Sequence, residues 1–465
     1  MKANLKAFRL GDVRGLYPQD IDETFALAFG HCIAHQFNLR GTVAVGHDMR
    51  DSGQVLHEQL IQGLLASGLD VVDMGLCATE LGYFASTLPN ITAAVVVTAS
   101  HNPPAYNGFK LVLSDGQPVT FATGLGQVMA LMLAGHRNKG PSGQLRQQDI
   151  RGAYISYLKA RFDGAALHSG MIALNGLNGT ASTLAHDLAG AFALPVAWLR
   201  QTPGAMPIEG ADPLMPRLQA EMCAFMQQQT FDLGVAWDGD CDRCVFFDGS
   251  GRLVPTYYIV GLLAQHYLQA SPGGAIVFDT KLCWNTLDII AANQGRPVRS
   301  ETGHAFMKQH MRNSQALYGG ELSSHHYFGD FFACDSGMIA WLKIIELLNS
   351  VGRQLGDIIN STRSRICCTP EINLQLHDPE QALQAIESKY GQRAVNIDHF
   401  DGLSFEMPGD WRFTLRQSKT ESMVRLNLEG RGNCDRLLNE GAEVLHSLTP
   451  YQADTSDWQN SLFIQ

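Results

Sequence analysis

Three aspartates at alternate positions are the strongest chemical signal in this chain. Asp238, Asp240 and Asp242 follow an apolar run at residues 233–237, and an intervening glycine helps the backbone turn tightly enough for the carboxylates to converge. Carboxylate oxygens suit Mg²⁺, which prefers few protein ligands and completes its shell with water or phosphate oxygens. A water-exposed turn is the alternative interpretation, and the segment lacks the twelve-residue pattern of a calcium-binding EF-hand loop. Arg243 adds a permanent cation of the kind that clamps a phosphate.

A serine follows the most apolar run of the chain. The run at residues 93–97 leads into Thr-Ala-Ser-His-Asn-Pro-Pro at residues 98–104. Beside a cation site, Ser100 can carry a phosphoryl group whose oxygens supply a further metal ligand. The alternative is that Ser100 caps a helix or a turn. Acyl transfer is a weaker interpretation, because the G-x-S-x-G elbow is absent and adjacent side chains such as those of Ser100 and His101 do not generally face each other.

Two further polar corners have the residue types that hold a sugar phosphate. Glu321, Ser323 and His325 alternate, so an extended backbone places them on one face, where a carboxylate can accept from two vicinal sugar hydroxyls. The alternatives are loop histidines without a role or a His pair on zinc, and zinc is disfavoured because neighbouring histidines rarely bind one metal. The corner at residues 416–421 offers Arg416, hydroxyls and backbone N–H groups to a phosphate, unless it is a solvated hairpin turn.

Short apolar runs followed by polar corners recur through most of the chain. Runs of this kind are typical of strands buried on both faces, as in parallel α/β sheets, and such sheets bind ligands beyond the carboxyl ends of their strands. The runs lie at residues 42–46, 93–97, 171–174, 233–237 and 275–278. Amphipathic stretches at residues 22–37 and 338–348 predict helices that cover the sheets.

The C-terminal part has a different pattern. Residues 411–416 and 424–429 alternate with period two, which predicts antiparallel strands with one solvated face and a separate α+β domain from about residue 363. Polar segments near residues 143–151 and 249–251 predict two further breaks. The predicted domains are residues 1–147, 148–250, 251–362 and 363–465.

Composition excludes several classes of protein. The 465 residues exceed the roughly 250–300 at which one hydrophobic core stops growing, and 45% apolar with 17% charged residues is globular rather than fibrous or disordered. A net charge of −11 gives no global reason to bind nucleic acid or a membrane surface. Neither a signal peptide nor a run of about 20 apolar residues is evident, so a cytoplasmic protein with reduced cysteines is expected. The C-x-x-C at Cys241 and Cys244 lacks the second pair that a zinc ribbon needs.

Together the four motifs resemble the α-D-phosphohexomutases, and within them the bacterial phosphomannomutase/phosphoglucomutase branch. The resemblance runs from Phe-Arg and Asp-Val-Arg-Gly within residues 8–15 to the strand at residues 424–429. The Thr-Ala-Ser-His-Asn-Pro and Asp-Gly-Asp-x-Asp-Arg motifs, in this order, are highly specific. The stretches 303–306 and 318–328 look especially like the phosphomannomutases that feed GDP-mannose synthesis.

The resemblance implies a role for each candidate residue. Ser100 carries the phosphoryl group, Lys110 is the general acid/base, and Arg243 neutralises the phosphoryl group. The implied Mg²⁺ ligands are Ser100, Asp238, Asp240 and Asp242. The further active-site positions are Arg14, His101 and His304, and the substrate-binding positions are Lys281, Glu321, Ser323, His325, Arg416, Ser418 and Thr420.

The implied fold has three related α/β domains with mixed or parallel sheets and a C-terminal α+β, TBP-like domain around a central cleft. The implied reaction interconverts mannose 6-phosphate and mannose 1-phosphate through the phosphoserine and a hexose 1,6-bisphosphate, which is both intermediate and activator. Its product feeds GDP-mannose and surface polysaccharide synthesis. A phosphoglucomutase or dual-specificity mutase is the alternative, because mannose and glucose differ only at C2. A non-catalytic sugar-phosphate binder is disfavoured by the intact Ser100, Lys110 and aspartates.

The chain departs from the family pattern at several positions. Gly11 stands where tyrosine is common, Ser324 where glycine is usual, and His47 where arginine is common. Lys419 and Ser422 replace the usual asparagine and proline of the phosphate loop. None of these changes removes the nucleophile, a metal ligand or the sugar carboxylate, so activity is expected, with effects on substrate affinity and on the phosphate loop.

Overall fold

The computed structural model describes residues 5–138, 141–167, 170–417, 423–432, 434–454, 458 and 462. In this part of the chain the strands form four separate sheets, each packed against helices. The predicted fold class, mixed α/β sheets across four domains, is confirmed. The limits of the domains along the chain stay a prediction.

The first domain is built on a mixed sheet with the order β1-β5-β4-β2-β3-β7, and β6 pairs with β5. Its strands are β1 (Val13–Leu16), β2 (Thr42–His47), β3 (Asp70–Leu76), β4 (Ile91–Val97), β5 (Tyr106–Leu113), β6 (Gln117–Pro118) and β7 (Leu145–Gln147). Its helices are α1 (Glu23–Gln36), α2 (Gly53–Leu65), α3 (Thr79–Ala85) and α4 (Gly126–Leu133). Strand β4 is buried along nearly its whole length, as its continuous apolar run predicts.

The second domain has a sheet with the order β12-β11-β10-β8-β9. The strands are β8 (Ile172–Asn175), β9 (Val196–Leu199), β10 (Leu233–Trp237), β11 (Cys244–Asp248) and β12 (Leu253–Val254), and the helices are α5 (Ile150–Arg161), α6 (Ala181–Ala191) and α7 (Pro216–Met226). Strand β10 pairs with β8 in parallel and with β11 antiparallel. The aspartate motif is therefore the turn of the β10–β11 hairpin.

The third domain has a sheet with the order β14-β13-β15-β16-β17. Its strands are β13 (Ala275–Asp279), β14 (Arg296–Ser300), β15 (Tyr318–Gly320), β16 (His326–Phe328) and β17 (Cys334–Asp335). Its helices are α8 (Thr256–Ala270), α9 (Trp284–Ala292), α10 (His304–Ser314), α11 (Gly337–Val351) and α12 (Leu355–Arg363). Parallel pairing of β13 with β14 and β15 brings the corners after these strands to one edge of the sheet.

The fourth domain has an antiparallel sheet with the order β18-β23-β22-β21-β20, and β19 pairs with β23. The strands are β18 (Ile366–Cys368), β19 (Ile372–Gln375), β20 (Asn396–Asp398), β21 (Leu403–Met407), β22 (Trp411–Gln417) and β23 (Met423–Arg431), and the helices are α13 (Pro379–Tyr390) and α14 (Cys434–Leu448). The antiparallel strands predicted at residues 411–416 and 424–429 are confirmed by the pairing of β22 with β23.

The polar face of β22 and β23 is buried, so the prediction of a solvated face is wrong for these strands. Arg412 and Glu429 are cross-strand partners with an N–O distance of 2.6 Å. Glu429 also accepts from the backbone N–H groups of Cys283 and Trp284 at 2.9 and 2.8 Å, and Arg412 donates to the carbonyl oxygen of Thr280 at 2.6 Å. The third domain covers this face, so the polar residues of the alternation meet protein groups instead of water.

Glu80 joins three domains at a buried point. Its carboxylate accepts from the Tyr154 hydroxyl at 2.9 Å, from the thiol of Cys241 at 3.5 Å, and from the hydroxyl of Ser336. These groups lie on α5, in the β10–β11 turn and directly before α11, whereas Glu80 lies on α3. Burial raises the pKa of Glu80 to about 7. A group that is neutral at mildly acidic pH therefore sits where the domains meet.

We predict that Glu80→Gln changes the pH dependence of stability. As pH rises from 4.5 towards 7, the unfolded state loses the Glu80 proton while the folded state keeps it, so wild-type stability falls through this window. At about 1.4 kcal/mol per pKa unit, ionised Glu80 costs about 3 kcal/mol above pH 7. Between pH 4.5 and 7.5, the thermal unfolding midpoint of Glu80→Gln should rise relative to that of the wild type.

The control for this experiment is Glu380→Gln, because Glu380 is exposed on α13. Because Glu380 is exposed, Glu380→Gln should change the unfolding midpoint much less than Glu80→Gln does over the same pH range. A pH-independent difference for Glu80→Gln would contradict the prediction.

Among the described residues, the helices include none that is both long and apolar enough to cross a membrane.

Candidate active site

Ser100 lies in a strained corner directly after β4. Its backbone has φ of +53°, a left-handed conformation that non-glycine residues rarely adopt and that is often found at functional sites. The hydroxyl donates to Asp238 Oδ2 at 2.8 Å, which brings the predicted nucleophile to the predicted metal loop. Its oxygen is also 3.2 Å from His101 Nδ1, so these neighbouring side chains do face each other, contrary to expectation. Burial and the nearby arginines hold the pKa of His101 well below its usual value, which keeps the imidazole neutral.

A buried ion pair fixes the Ser100 corner, and the sequence did not single it out. Arg50 Nε is 3.0 Å from Asp48 Oδ2, and an Arg50 guanidinium nitrogen donates to the Ser100 carbonyl oxygen at 2.7 Å. The Thr98 hydroxyl donates to Asp48 at 2.6 Å and accepts from the Ser100 N–H at 2.8 Å. Because β2 and β4 are adjacent parallel strands, the Asp-x-Arg corner after β2 must lie beside the Ser100 corner. That adjacency is the signal that could have identified these residues.

The aspartate loop has the features of a cation site. One oxygen each from Asp238, Asp240 and Asp242 lies within 4.8 Å of the others, and all three residues are buried. Asp240 Oδ1 is buried and has no hydrogen-bond partner among the described residues, which is costly unless a cation satisfies it. A set of carboxylate oxygens fits a hard divalent ion such as Mg²⁺. Gly239 permits the close packing, because a Cβ there would lie 2.7 Å from the Ser100 carbonyl oxygen.

Lys110 lies directly on the aspartate loop. It projects from β5 opposite Val96 of β4, and its Nζ is 2.6 Å from Asp240 Oδ2 and in contact with Asp242 Oδ2. Burial favours the neutral amine, but the two carboxylates outweigh it and raise the pKa of Lys110. Burial and the like charges of its neighbours raise the pKa of Asp238 well above its usual value. The loop thus concentrates negative charge that cations must offset.

Two arginines lie close to the Ser100 corner. Arg14 donates to Asn102 Oδ1 and to Asp12 Oδ2, each at 2.6 Å. Arg243 has a guanidinium nitrogen 3.8 Å from Asp212 Oδ2, a loose contact that leaves donors for another anion. This is the placement expected for residues that neutralise a phosphoryl group.

His304 occupies the space beside Gly11. A Cβ added at residue 11 would lie 2.6 Å from His304 Nε2, so a larger residue there would displace the imidazole. Burial, with a contribution from Lys308, lowers the pKa of His304 to about 4 and keeps the ring neutral at neutral pH. The ring of His304 therefore lies against the position at which tyrosine is common in the family.

Glu321, Ser323 and His325, the predicted sugar-binding residues, converge through a turn, so the expectation of an extended backbone is wrong. Strands β15 and β16 form an antiparallel hairpin, and the chain reverses at Ser324, which has φ of +69°. His325 Nδ1 lies 2.8 Å from Ser323 Oγ and 3.4 Å from Glu321 Oε2. His325 Nε2 is 3.3 Å from Asp242 Oδ1. The His325 imidazole therefore connects the loop at residues 321–325, the predicted sugar loop, to the aspartate loop.

Ser324 shows why glycine is usual at its position. A left-handed backbone is sterically unfavourable for any residue with a Cβ. Here the Ser324 hydroxyl is hydrogen-bonded with that of Thr256 at 2.7 Å, and the Ser324 carbonyl accepts from the Cys244 N–H at 3.0 Å. These contacts offset the strain and hold the turn against the second domain.

Glu321 is buried but keeps acceptor capacity. Its two oxygens accept from the Gly303 N–H at 2.7 Å and from the Tyr327 hydroxyl at 2.6 Å. A carboxylate offers about four lone-pair positions, so each oxygen can accept a further hydrogen bond from a sugar hydroxyl. The two protein donors hold the carboxylate in one orientation.

The corner at residues 416–421, predicted to bind a phosphate, is described in part. Ser418 and Thr420, together with the departures Lys419 and Ser422, lie outside the described residues. Arg416 Nε donates to Asp401 Oδ1 at 3.2 Å, and Asp401 Oδ2 accepts from the Thr302 N–H at 2.9 Å. Because Gly303 donates to Glu321, this contact places Arg416 close to the sugar loop.

Arg425 is a candidate phosphate ligand that sequence reasoning missed. In the β22–β23 register it lies directly opposite Arg416, so the two cations share a face of the sheet. Like charges in this position are destabilising, which favours an anion between them. Arg425 Nε is 3.6 Å from Glu371 Oε1, and Glu371 Oε2 is 3.4 Å from Lys281 Nζ. The alternation in residues 424–429 places Arg425 on this face once the hairpin register is known.

Comparisons with known proteins agree with this arrangement. Sequence models of the phosphoglucomutase/phosphomannomutase alpha/beta/alpha domains I and III match residues 5–125 and 255–365. The chain is 39% identical over 448 residues to phosphohexose mutases of Xanthomonas campestris pv. campestris, covering 96% of this chain and 99% of that one. It is 37% identical over 454 residues to a phosphomannomutase of Escherichia coli, and the match covers 95% of this chain and 98% of that one. A phosphoglucomutase/phosphomannomutase family protein from Burkholderia thailandensis, solved by X-ray crystallography, superposes with a TM-score of 0.85 at 27% identity, covering 96% and 97%.

The four-domain fold and these relatives define the protein as a phosphohexomutase, an isomerase that acts on phosphorylated sugars. The predicted enzyme class is confirmed. The chain belongs to the phosphoglucomutase/phosphomannomutase family, as the resemblance of its motifs indicated.

Proposed function

We propose that this enzyme interconverts mannose 6-phosphate and mannose 1-phosphate through a phosphoserine at Ser100 and a hexose 1,6-bisphosphate. Its product would feed GDP-mannose and surface polysaccharide synthesis. The observation that carries the proposal is the contact of Ser100 Oγ with Asp238 at 2.8 Å, beside buried carboxylates that His325 links to Glu321. The mannose assignment is supported by the Escherichia coli phosphomannomutase at 37% identity over most of both chains.

The residues of the aspartate loop fit a bound Mg²⁺. Asp238, Asp240, Asp242 and an oxygen of the Ser100 phosphoryl group would hold it. When bound, the ion supplies positive charge that stabilises the phosphoryl group during transfer. The chain itself fixes the Ser100 corner through the buried Arg50, so the phosphoryl group starts from one position.

The transfer breaks the bond from phosphorus to Ser100 Oγ and forms one to a sugar hydroxyl. Phosphoryl transfer depends mainly on positioning and on neutralising charge, which Arg243 and Arg14 supply beside the corner. As the phosphoryl group leaves, Lys110 gives a proton from Nζ to Ser100 Oγ, and the attacking sugar hydroxyl loses its proton to solvent. In the return step Ser100 Oγ attacks the phosphate at the other end of the sugar and gives its proton back to Lys110, while the sugar oxygen that is released takes a proton from solvent.

The bisphosphate must turn around between the two transfers. Glu321 then meets the same pair of sugar hydroxyls in both orientations, while the two phosphates exchange places. Arg416 and Arg425 lie opposite each other and both carry a positive charge, so an anion between them lowers their mutual repulsion. They are therefore assigned to the phosphate that is not reacting. Ser418 and Thr420 are proposed to add hydroxyl donors to this site.

A coupled assay with mannose 1-phosphate and glucose 1-phosphate tests the proposed substrate. We expect kcat/KM for the mannose compound to equal or exceed that for the glucose compound. The two sugars differ only at C2, so a difference within about tenfold corresponds to about 1.4 kcal/mol of discrimination and indicates dual specificity. A larger preference for glucose would favour the alternative, a phosphoglucomutase.

We predict that Glu321→Ala lowers kcat/KM on both sugars by about ten- to a thousandfold. A hydrogen bond to a charged group is worth about 1.5–3 kcal/mol, and the alanine leaves two substrate hydroxyls unpaired in a desolvated cleft. Glu346→Ala is the control, since Glu346 lies on α11 and pairs with Lys343 and His266 away from the cleft. Wild-type efficiency of Glu321→Ala on both sugars would remove Glu321 from the sugar site.

A further inference from the structure

We infer that Thr79 is a positioning residue that orients the Asp240 carboxylate for cation binding, so that α3 of the first domain completes the cation site of the second. The inference rests on the proposed cation site at Asp238, Asp240 and Asp242. Thr79 is fully buried at the start of α3. Its hydroxyl donates to Asp240 Oδ2 at 2.6 Å, and its backbone N–H donates to the Asp240 carbonyl oxygen at 2.9 Å. One residue therefore holds both the main chain and the side chain of Asp240.

These contacts decide which Asp240 oxygen is available. Oδ2 accepts from the Thr79 hydroxyl and from Lys110 Nζ, each at 2.6 Å, while Oδ1 has no hydrogen-bond partner among the described residues. Lys110 reaches Oδ2 on a long, flexible stem and contacts Asp242 as well, so it does not by itself fix the plane of the carboxylate. The short side chain of Thr79 does fix it, and Oδ1 is left buried without a hydrogen-bond partner among the described residues. Partners of this kind commonly contribute ten- to hundredfold to metal affinity.

The loop needs such support because its backbone is strained. Cys241, between two of the aspartates, has φ of +68°, in the left-handed region that non-glycine residues rarely occupy. Its carbonyl oxygen accepts from the Gly337 N–H at 3.3 Å, and its thiol donates to Glu80. Thr79 and Glu80 are consecutive residues of α3 that hold consecutive residues of the loop. Strain of this kind persists only where the surroundings impose it.

Thr79→Val tests the role of the hydroxyl, because valine keeps the shape and the backbone N–H while deleting the donor. Mn²⁺ binding to purified, metal-depleted protein is followed by electron paramagnetic resonance, which reads affinity without turnover. We expect a dissociation constant about 10–100 times that of the wild type. Thr79→Ser restores the hydroxyl and should bind within about threefold of the wild type. If Thr79→Val fails to fold, Thr79→Ala deletes the same donor.

Thr180→Val is the matched control. Thr180 is also a buried threonine that contacts this loop, but its hydroxyl donates at 3.2 Å to the Gly239 carbonyl and not to a carboxylate. Loss of the Thr180 hydroxyl should leave Mn²⁺ affinity within about threefold of the wild type, even if the stability of the protein falls. The inference is overturned if Thr79→Val binds Mn²⁺ as well as wild type does, or if Thr180→Val loses as much. If the wild type binds no Mn²⁺, or if Asp240→Ala binds it as well as the wild type does, the proposed cation site itself is overturned.

Discussion

Replacing Ser100 with alanine is expected to abolish the phosphoenzyme and to lower kcat/KM by at least about a thousandfold. Without the hydroxyl, the proposed carrier has no oxygen that can bond to phosphorus between the two transfers. Intact mass spectrometry should show the wild type with an addition of about 80 Da that the variant lacks. Kinetics should be measured with hexose 1,6-bisphosphate both absent and present.

Ser86→Ala is the matched control for this variant. Ser86 is a serine of the first domain as deeply buried as Ser100, and its hydroxyl donates to the Tyr83 carbonyl oxygen at 2.7 Å. Its loss should affect stability more than turnover. Near-normal activity of Ser100→Ala in the absence of bisphosphate would exclude Ser100 as the phosphoryl carrier.

Removal of divalent metal is expected to lower kcat by at least about a thousandfold, with recovery on addition of Mg²⁺. The physical reason is charge: a phosphoryl group placed beside Asp238, Asp240 and Asp242 is repelled unless a cation intervenes. Asp240→Asn should need a higher Mg²⁺ concentration for half-maximal activity than the wild type, because it removes one ligand charge.

Asp248→Asn serves as the control for the metal experiment. Asp248 is also a buried aspartate of the second domain, but its carboxylate is used by the turn at Ser250 and Arg252. Its Mg²⁺ requirement should match that of the wild type. Full activity of the wild-type enzyme after exhaustive chelation would show that the aspartate loop does not act through a metal.

The chemistry of the site could be predicted from sequence because it lies in corners directly after buried strands. The apolar runs at residues 93–97 and 233–237 are local signals, and the residues after them must emerge at an edge of a sheet. Motif order then identified the family. The resemblance implied Ser100 and Asp238 as ligands of one cation, and their side chains are 2.8 Å apart.

Contacts between domains were beyond the reach of such reasoning. The alternation of β22 and β23 indicates which residues are polar but not whether water or protein meets them, and Arg412 is buried against the third domain. The turn at Ser324 depends on Cys244 of the second domain, whose N–H donates to the Ser324 carbonyl oxygen at 3.0 Å. Thr79 and Asp240 are 161 residues apart, and neither has a local pattern that points to the other.

Ser100, Cys241 and Ser324 each hold a left-handed backbone in a different functional loop. Each such residue costs on the order of 1–3 kcal/mol, and contacts that cross from one domain to another, Cys241 to Glu80 and Ser324 to Cys244, support at least two of them. The working loop shapes are therefore a property of the assembled enzyme. If the gene were split between two domains, the cut would divide a hydrophobic core that residues of several domains share, and catalysis would return only on reassociation. For the same reason, a chimera that imports a single domain from a relative has to match the supporting contacts as well as the motifs.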